Sequence, residues 1–369
     1  MKKQVFVLGS GQLARMMAIA GAPLNIQVAS LDINTQRVIH PLTGMHFEES
    51  VEAIIKQSDA ITAEFEHVPH DILEHCDSTG KFFPSVEAIK IGGDRRLEKQ
   101  LLSTTHIASA PYVIIHNRAD FDKAISQLDQ PIIFKSALGG YDGKGQWRLK
   151  DPSHIESIWT ELETCLLSTK DQGILAEQCI HFKREISVIG ARDYKGSTAV
   201  YPITENKHVN GILDTSIPLD EPALQTSAEH IFSRISEALN YIGVLAIELF
   251  DVGGELLVNE IAPRVHNSGH WSIEGTETSQ FENHLRAICK LPLGSSHMIR
   301  PTAMINILGI DQLPDSLFST GGYHLHWYGK EERAGRKMGH INICSSTLES
   351  LKSSVMEFHE RFSVSDQLK

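Results

Sequence analysis

Cysteine is scarce and irregularly placed: Cys76, Cys165, Cys179, Cys289 and Cys344 are five in number, with no Cys-x-x-Cys spacing among them. That excludes a disulfide frame or a structural zinc site and leads us to expect reduced thiols in a cytoplasmic protein. Long apolar runs are also missing; none approaches the ~20 residues of a membrane span. Met1-Lys2-Lys3-Gln4-Val5 opens a strand-like run rather than a signal peptide, so no membrane partner is expected. Nor is there an excess of positive charge. Lys and Arg number 34 against 46 Asp and Glu, a net charge of −12, which makes nucleic acid a poor partner. A small anionic substrate is compatible with this balance, provided its cationic site is built locally. What remains is a globular composition, 41% hydrophobic and 22% charged. At 369 residues the chain is too long for one ordinary core, and two or three domains are expected.

The first hundred residues alternate in a βαβ rhythm. Val5-Phe6-Val7-Leu8 reads as a strand, Gln12 to Ala20 as an apolar-periodic helix, and Gln27 to Leu31 as a second strand. A helix from Val51, a strand at Ala60 to Ala63 and a helix near Asp71 to His75 follow, the pattern of a parallel sheet with covering helices. One helix is expected over Val86 to Leu102. A smaller unit then begins, with a strand at Pro131 to Lys135, a glycine-rich loop at Gly139 to Gly145 and a helix from Ser153 to Leu167. From Ile174 the chain is strand-rich, with one long helix at Ala223 to Leu239, a hairpin around Gly253-Gly254 and a closing helix from Leu348. The expected domains are 1–105, 106–172 and 173–369, in a mixed α/β architecture.

Gly9-Ser10-Gly11-Gln12-Leu13-Ala14 follows a strand and opens a helix, and Asp32 ends the second strand about 20 residues later. Taken alone, this is the layout of an NAD-dependent oxidoreductase. The physics is broader: glycines let the backbone approach an anion, and free N–H groups at a helix start hold any phosphate.

A second constellation discriminates. Lys135 closes an apolar strand and is followed by Gly139, Gly140, Gly143 and Gly145, an arrangement in which an ammonium meets phosphate while a loop folds over it. Glu248 and Glu260 lie within apolar strands on either side of a turn, where carboxylates are rarely buried without a cation. A loop of odd length centred on Gly254 would set them opposite each other, a pair that Mg²⁺ and substrate phosphates would join. Asn259 adds an amide nearby. Arg264, His266, Asn267 and His270 then crowd one loop, which points to a substrate site.

These strings resemble the N5-carboxyaminoimidazole ribonucleotide synthase family, ATP-grasp enzymes of purine biosynthesis. The resemblance is carried by Gly9 to Leu13, Thr62-Ala63-Glu64-Phe65-Glu66, Gly139 to Gln146, Asn259 to Trp271, and the segments His326 to Lys330 and Arg336 to His340. It implies a Rossmann-like N-terminal domain, a small lid, a larger C-terminal domain and a homodimer. It implies ATP contacts at Arg95, Lys135, Gly140, Tyr141, Asp142, Gly143, Lys144, Gly145, Gln146, Glu177, Gln178, Cys179, Ile180, Glu185, His208, Asn259 and Glu260. Mg²⁺ would sit on Glu248 and Glu260. Catalysis would fall to Asp142, Lys144, Arg264, His266 and Asn267, with bicarbonate as co-substrate. Aminoimidazole ribonucleotide would be held by Gly11, Gln12, Leu13, Glu64, Arg264, His266, Lys330, Arg336 and Lys337, its 5′-phosphate at the Gly9–Gln12 helix start. Ala14 stands where the family commonly has glycine and Lys144 where it has arginine; lysine neutralises phosphate without arginine's bidentate contact. Another ATP-grasp ligase of purine synthesis is the nearer alternative.

Overall fold

The computed structural model describes residues 2–139, 145–169, 172–310, 312–317 and 319–362. Three sheets organise them. The first contains β1 (Lys3–Leu8), β2 (Ile26–Asp32), β3 (Arg37–Ile39) and β4 (Ala60–Ala63), in the order β3-β2-β1-β4. β1 is parallel to β2 and β4, and β3 is antiparallel to β2. β1 is apolar at successive positions because both its faces are covered. Phe6 and Leu8 share a core with Ile54 and Ile55, while Val5 and Val7 share one with Met17 of the helix Gln12–Gly21.

The helix expected over 86–102 is two helices, Val86–Gly93 and Arg95–Thr104. Asp94 is extended (φ −131°) and caps the second, its Oδ1 accepting from Arg96 N at 2.9 Å. Gly92 lies so close to Pro263 that a Cβ would collide with the proline ring. This break redirects the second helix, burying both Glu98 and Lys99.

The second sheet is antiparallel and contains β5 (Tyr112–Ile115), β6 (Ile132–Ser136), β7 (Gln146–Leu149) and β8 (Ile174–Gln178), ordered β5-β8-β6-β7. The expected boundary at 172 falls just before β8, which pairs with both β5 and β6. The helix Ile155–Ser168 therefore does not close this unit; the chain must return to fill the gap between two strands. Alternation sorts the side chains. Ile132, Phe134, Leu149 and Ala176 join Phe121 and Leu162 in a core, and Ile133, Lys135, Gln146, Arg148 and Glu177 face the opposite way, into a cleft.

The remaining strands form one antiparallel sheet of nine: β9 (Arg184–Arg192), β10 (Thr198–Val200), β11 (Thr204–Val209), β12 (Ile212–Pro218), β13 (Gly243–Val252), β14 (Glu255–Ala262), β15 (Thr302–Leu308), β16 (Tyr323–Trp327) and β17 (Lys337–Cys344). Their order is β14-β13-β9-β11-β12-β15-β17-β16, with β10 on β9. The closing helix Leu348–Arg361 covers β15 and β17 with Leu351, Val355 and Phe358. No helix among the described residues is long and apolar enough to cross a membrane.

Candidate active site

β13 and β14 build the acidic end of the cleft. Along β13, Leu245, Ile247 and Leu249 pack beneath the helix Pro222–Ala238, and Val244 and Ala246 pack on the other face. That second face opens into the cleft at Glu248 and Phe250. The turn is not the odd-length loop expected: Val252 pairs with Glu255, leaving the two residues Gly253 and Gly254, with φ of 67° and 98°. Positive φ at both positions suits a tight hairpin turn and favours glycine. Such a turn alone would set Asn259 opposite Glu248 and send Glu260 to the far face. A β-bulge prevents this. The register shifts between Glu248 and Leu249, so that Leu249 pairs with Val258 and Glu248 with Glu260. Asn259 is the extra residue, and both it and Glu260 line the cleft. Burial, and then the charge of Glu260, push the Glu248 carboxyl up to about 7.

The cleft has a volume of about 770 Å³ and takes walls from the second and third sheets and, beside the first, from Gln12, Leu13 and the segment Glu64 to His67 that follows β4. A larger depression of about 1080 Å³, around β10 and residues 290–298, contains none of the expected site residues. At the end formed by the second sheet, Lys135 Nζ lies 2.5 Å from Glu177 Oε2. Arg95 Nη1 donates to the Ser136 carbonyl at 3.0 Å. Glu185 and His208, on paired strands, meet at 2.6 Å. Burial alone would lower the His208 pKa, but the Glu185 carboxylate raises it above the ordinary value. Phe182 and Phe250 stack with ring centroids 4.6 Å apart beside Cys179 and Ile180.

The opposite end is organised by Arg264, whose Nε donates to Glu66 Oε1 at 2.8 Å. His266 faces Glu248 at 3.5 Å, with Nδ1 2.9 Å from Ser268 Oγ. Burial and the neighbouring Arg264 charge hold its pKa well below the ordinary value, so it is a neutral imidazole. Asn267 exchanges amide hydrogen bonds with Asn306, at 3.1 and 2.7 Å, which anchors the loop to β15.

The helix start at Gly11 holds an anion, but not one supplied from outside. Glu64, just beyond β4, turns back along β1 so that its carboxylate accepts from Gly11 N and, at 2.9 Å, from Ala14 N. A Cβ on Gly11 would come within 2.8 Å of Glu64 Oε1. The amides of Gly11 and Ala14 are thus taken by a carboxylate, 53 residues from Gly11, and are not left open for the phosphate expected on Gly9–Gln12. Asp32 is committed to its own turn, accepting from Asn34 N at 2.9 Å, and neither it nor the helix start offers a dinucleotide site.

Among the expected residues, Gln12, Leu13, Glu64, Arg95, Lys135, Gln146, Glu177, Gln178, Cys179, Ile180, Glu185, His208, Glu248, Asn259, Glu260, Arg264, His266, Asn267 and Lys337 all line the cleft. Lys330 stands at its edge, bonded to Gln12 Oε1, so the two ends of the chain do meet. Arg336 is spent locally, donating to the Glu331 carbonyl at 3.0 Å, and does not line the cleft. Gly145 accepts from Ser136 N at 3.0 Å and closes the base of the glycine loop. Gly140, Tyr141, Asp142, Gly143 and Lys144 lie outside the described residues. His270 is fully buried against Phe281 and His340 and belongs to the core, not to a substrate site. Sequence reasoning did not single out Arg148, Phe182 and Phe250. Arg148 was reachable, because it sits one alternation beyond Gln146, the partner of Lys135.

A cleft with paired carboxylates at one end and a lysine beside a glycine loop at the other, under a small antiparallel sheet, defines an ATP-grasp ligase. Residues 100–281 match the family model of the ATP-grasp domain, 1–92 that of the ribonucleotide synthetase preATP-grasp domain, and 302–354 that of the phosphoribosylaminoimidazole carboxylase C-terminal domain. The chain is 59% identical over 340 residues to the N5-carboxyaminoimidazole ribonucleotide synthase of Vibrio vulnificus, which covers 92% of this chain and 90% of that one. The synthetase of Thermus thermophilus superposes with a TM-score of 0.85 at 35% identity, covering 96% of this chain and 98% of the other. The Aspergillus clavatus enzyme, solved with ADP and 5-aminoimidazole ribonucleotide, gives 0.84 at 30% identity, covering 97% and 98%. The chain belongs to the N5-carboxyaminoimidazole ribonucleotide synthase family, ATP-dependent carbon–nitrogen ligases of purine biosynthesis.

Proposed function

We propose that this cleft joins bicarbonate to the exocyclic amine of 5-aminoimidazole ribonucleotide, with ATP converted to ADP and phosphate. The observation that carries the reading is the Glu248–Glu260 pair, opposed across a bulged hairpin in the same cleft as Lys135. Bicarbonate is a poor electrophile because hydroxide leaves badly. Transfer of the γ-phosphoryl group to it gives carboxyphosphate, from which phosphate leaves when the amine nitrogen forms its bond to carbon, the amine giving up a proton. The protein's part in phosphoryl transfer is positioning and charge neutralisation.

The donor set fits a divalent cation. Two like charges face each other, one carboxyl is pushed up to about 7, and a cation relieves both. Among the described residues no three His, Cys, Asp or Glu side chains are arranged to hold a metal by themselves. Mg²⁺ would therefore rest on Glu248 and Glu260 with phosphate and water completing its shell, and when bound it supplies neutralisation of the polyphosphate. Lys135 and Arg95 face the phosphates, with Lys144 in the covering loop. Phe250, Ile180 and Cys179 receive the base, and Glu185 and His208 the sugar. Arg264, His266 and Asn267 orient bicarbonate and the forming carboxylate. Gln12, Glu64, Lys330 and Lys337 hold the acceptor ribonucleotide, with its phosphate toward Lys330 rather than the Gly11 amide.

ADP release that depends on both bicarbonate and aminoimidazole ribonucleotide is the test. Release unaffected by omitting either one refutes the assignment. The reading includes a homodimer, which light scattering of the purified chain checks, and a cytoplasmic location, which the five free thiols support.

A further inference from the structure

Lys99 is buried at the nucleotide end and has no part in the mechanism above. It is 1% exposed, and its Nζ lies 2.6 Å from Glu177 Oε1, while Lys135 takes Oε2 of the same carboxylate. At that distance Lys99 and Glu177 form a close ion pair. The ring of Tyr112 lies 5.7 Å from the same nitrogen. Two cations thus share one anion. Burial pushes the Glu177 carboxyl up, but the ammonium groups of Lys135 and Lys99 outweigh it and hold it below the ordinary value, ionised. The two lysines differ in access. Lys135 is 15% exposed and lines the cleft, whereas Lys99 does not reach it.

That asymmetry has a consequence if Lys135 serves a polyphosphate. Serving the phosphates draws Lys135 away from Glu177, and without a second cation that buried carboxylate would be left unpaired, which is strongly unfavourable. We propose that Lys99 is a positioning residue for nucleotide binding: it keeps Glu177 paired and in place, which frees Lys135 to exchange that carboxylate for the phosphates of ATP. The proposal rests on the ATP-binding reading above. Lys99 acts wholly through Glu177 and touches neither nucleotide nor acceptor. The break at Asp94 is what delivers it, since a continuous helix from Val86 would not turn this face inward.

The test is a cycle of variants in the full chain, read by calorimetric titration with a non-hydrolysable ATP analogue and Mg²⁺, and by KM. Lys99→Met should weaken analogue binding at least about tenfold, with KM for ATP following and KM for aminoimidazole ribonucleotide within about twofold. Lys99→Arg, which keeps the charge, should recover affinity to within about threefold of the unmutated chain. In a Glu177→Gln background the same Lys99→Met change should matter less than about threefold, because Lys99 then has no carboxylate to hold. Equal effects of Lys99→Met in the two backgrounds overturn the proposal, as does a Lys99→Met chain that binds the analogue normally. Should Lys99→Met alone fail to fold, K99M/E177Q against E177Q decides: a difference above about tenfold overturns it. Failure of the ATP reading is separately visible, because the unmutated chain would then bind no analogue at all.

Discussion

Replacing Glu248 by glutamine removes one charge from the carboxylate pair at nearly constant volume, and its effects on stability and on turnover should have opposite signs. In the chain without metal or nucleotide, burial and the charge of Glu260 raise the Glu248 carboxyl from its ordinary 4.5 to about 7. A carboxyl raised on folding is protonated in the folded state at pH values where the unfolded chain has already released the proton. Its contribution therefore lowers stability as pH rises from 4.5 to about 7, and the penalty is complete above that. At about 1.4 kcal/mol per pH unit the ceiling is about 3.4 kcal/mol. The side chain is 21% exposed, and screening by that solvent brings the expectation to about 1–2 kcal/mol. Urea denaturation of the metal-free chains should show Glu248→Gln more stable than the unmutated protein by that amount at pH 8, and by only a few tenths of a kcal/mol, roughly, at pH 5. The same variant should lose ADP release at ordinary Mg²⁺. A variant that is no more stable at pH 8, or that still turns over, refutes the metal-pair reasoning.

Glu260→Gln should likewise abolish turnover while leaving the circular dichroism spectrum unchanged, because its side chain is exposed to the cleft and carries no packing. Lys330 titrates early: burial, and then the charge of Arg336, lower its pKa to about 8. If its ammonium holds the acceptor phosphate, kcat/KM for aminoimidazole ribonucleotide should fall as pH rises through about 8, and Lys330→Arg should move that limb upward; an unchanged limb removes Lys330 from the acceptor site. Gly11→Ala places a Cβ 2.8 Å from Glu64 Oε1 and should cost about 1–3 kcal/mol in a denaturation experiment, with KM for the acceptor rising more than KM for ATP. Stability within about 0.5 kcal/mol of the unmutated chain counts against the Glu64 cap.

Much of this architecture is legible in local pattern, and the misses have a common cause. The βαβ rhythm, the apolar strand ending in Lys135 and the glutamates embedded in β13 and β14 are visible because periodicity of two and of 3.6 is local. The opposition of Glu248 and Glu260 was expected, yet for a reason that does not hold. A two-residue Gly-Gly turn sets the register, and a bulge at Asn259 then shifts it by one. Bulges leave no periodic trace, since one unpaired residue looks like an ordinary step in the chain. The break at Asp94 could have been read, because Gly92-Gly93 before an Asp is a helix stop followed by a helix cap. The Glu64 cap could not, as its partner lies 53 residues away and the helix start carries no mark of being filled. His270 belongs to the same class. Within a loop of polar residues it looks like a site residue, but β17 and the helix Gln280–Ile288 bury it against His340 and Phe281.

A net charge of −12 has to be reconciled with a cleft for polyphosphate, and Lys330 and Lys337, from the far end of the chain, bring only part of the positive charge. The other cations arrive already paired. Lys135 stands on Glu177 and Arg264 on Glu66, so these two cations of the cleft are already paired with carboxylates, and His208 is held in the same way by Glu185. An unpaired cationic hole would draw any anion and would strain the folded chain by self-repulsion. A pre-paired one does neither, because a ligand must compete with carboxylates already in place. Binding in such a cleft is an exchange of ion partners, favourable only for a ligand that repays several exchanges at once, as a polyphosphate carrying its own divalent cation does. A simple inorganic anion at the nucleotide end repays only one such exchange, so that end of the cleft favours a polyphosphate over the salts around it.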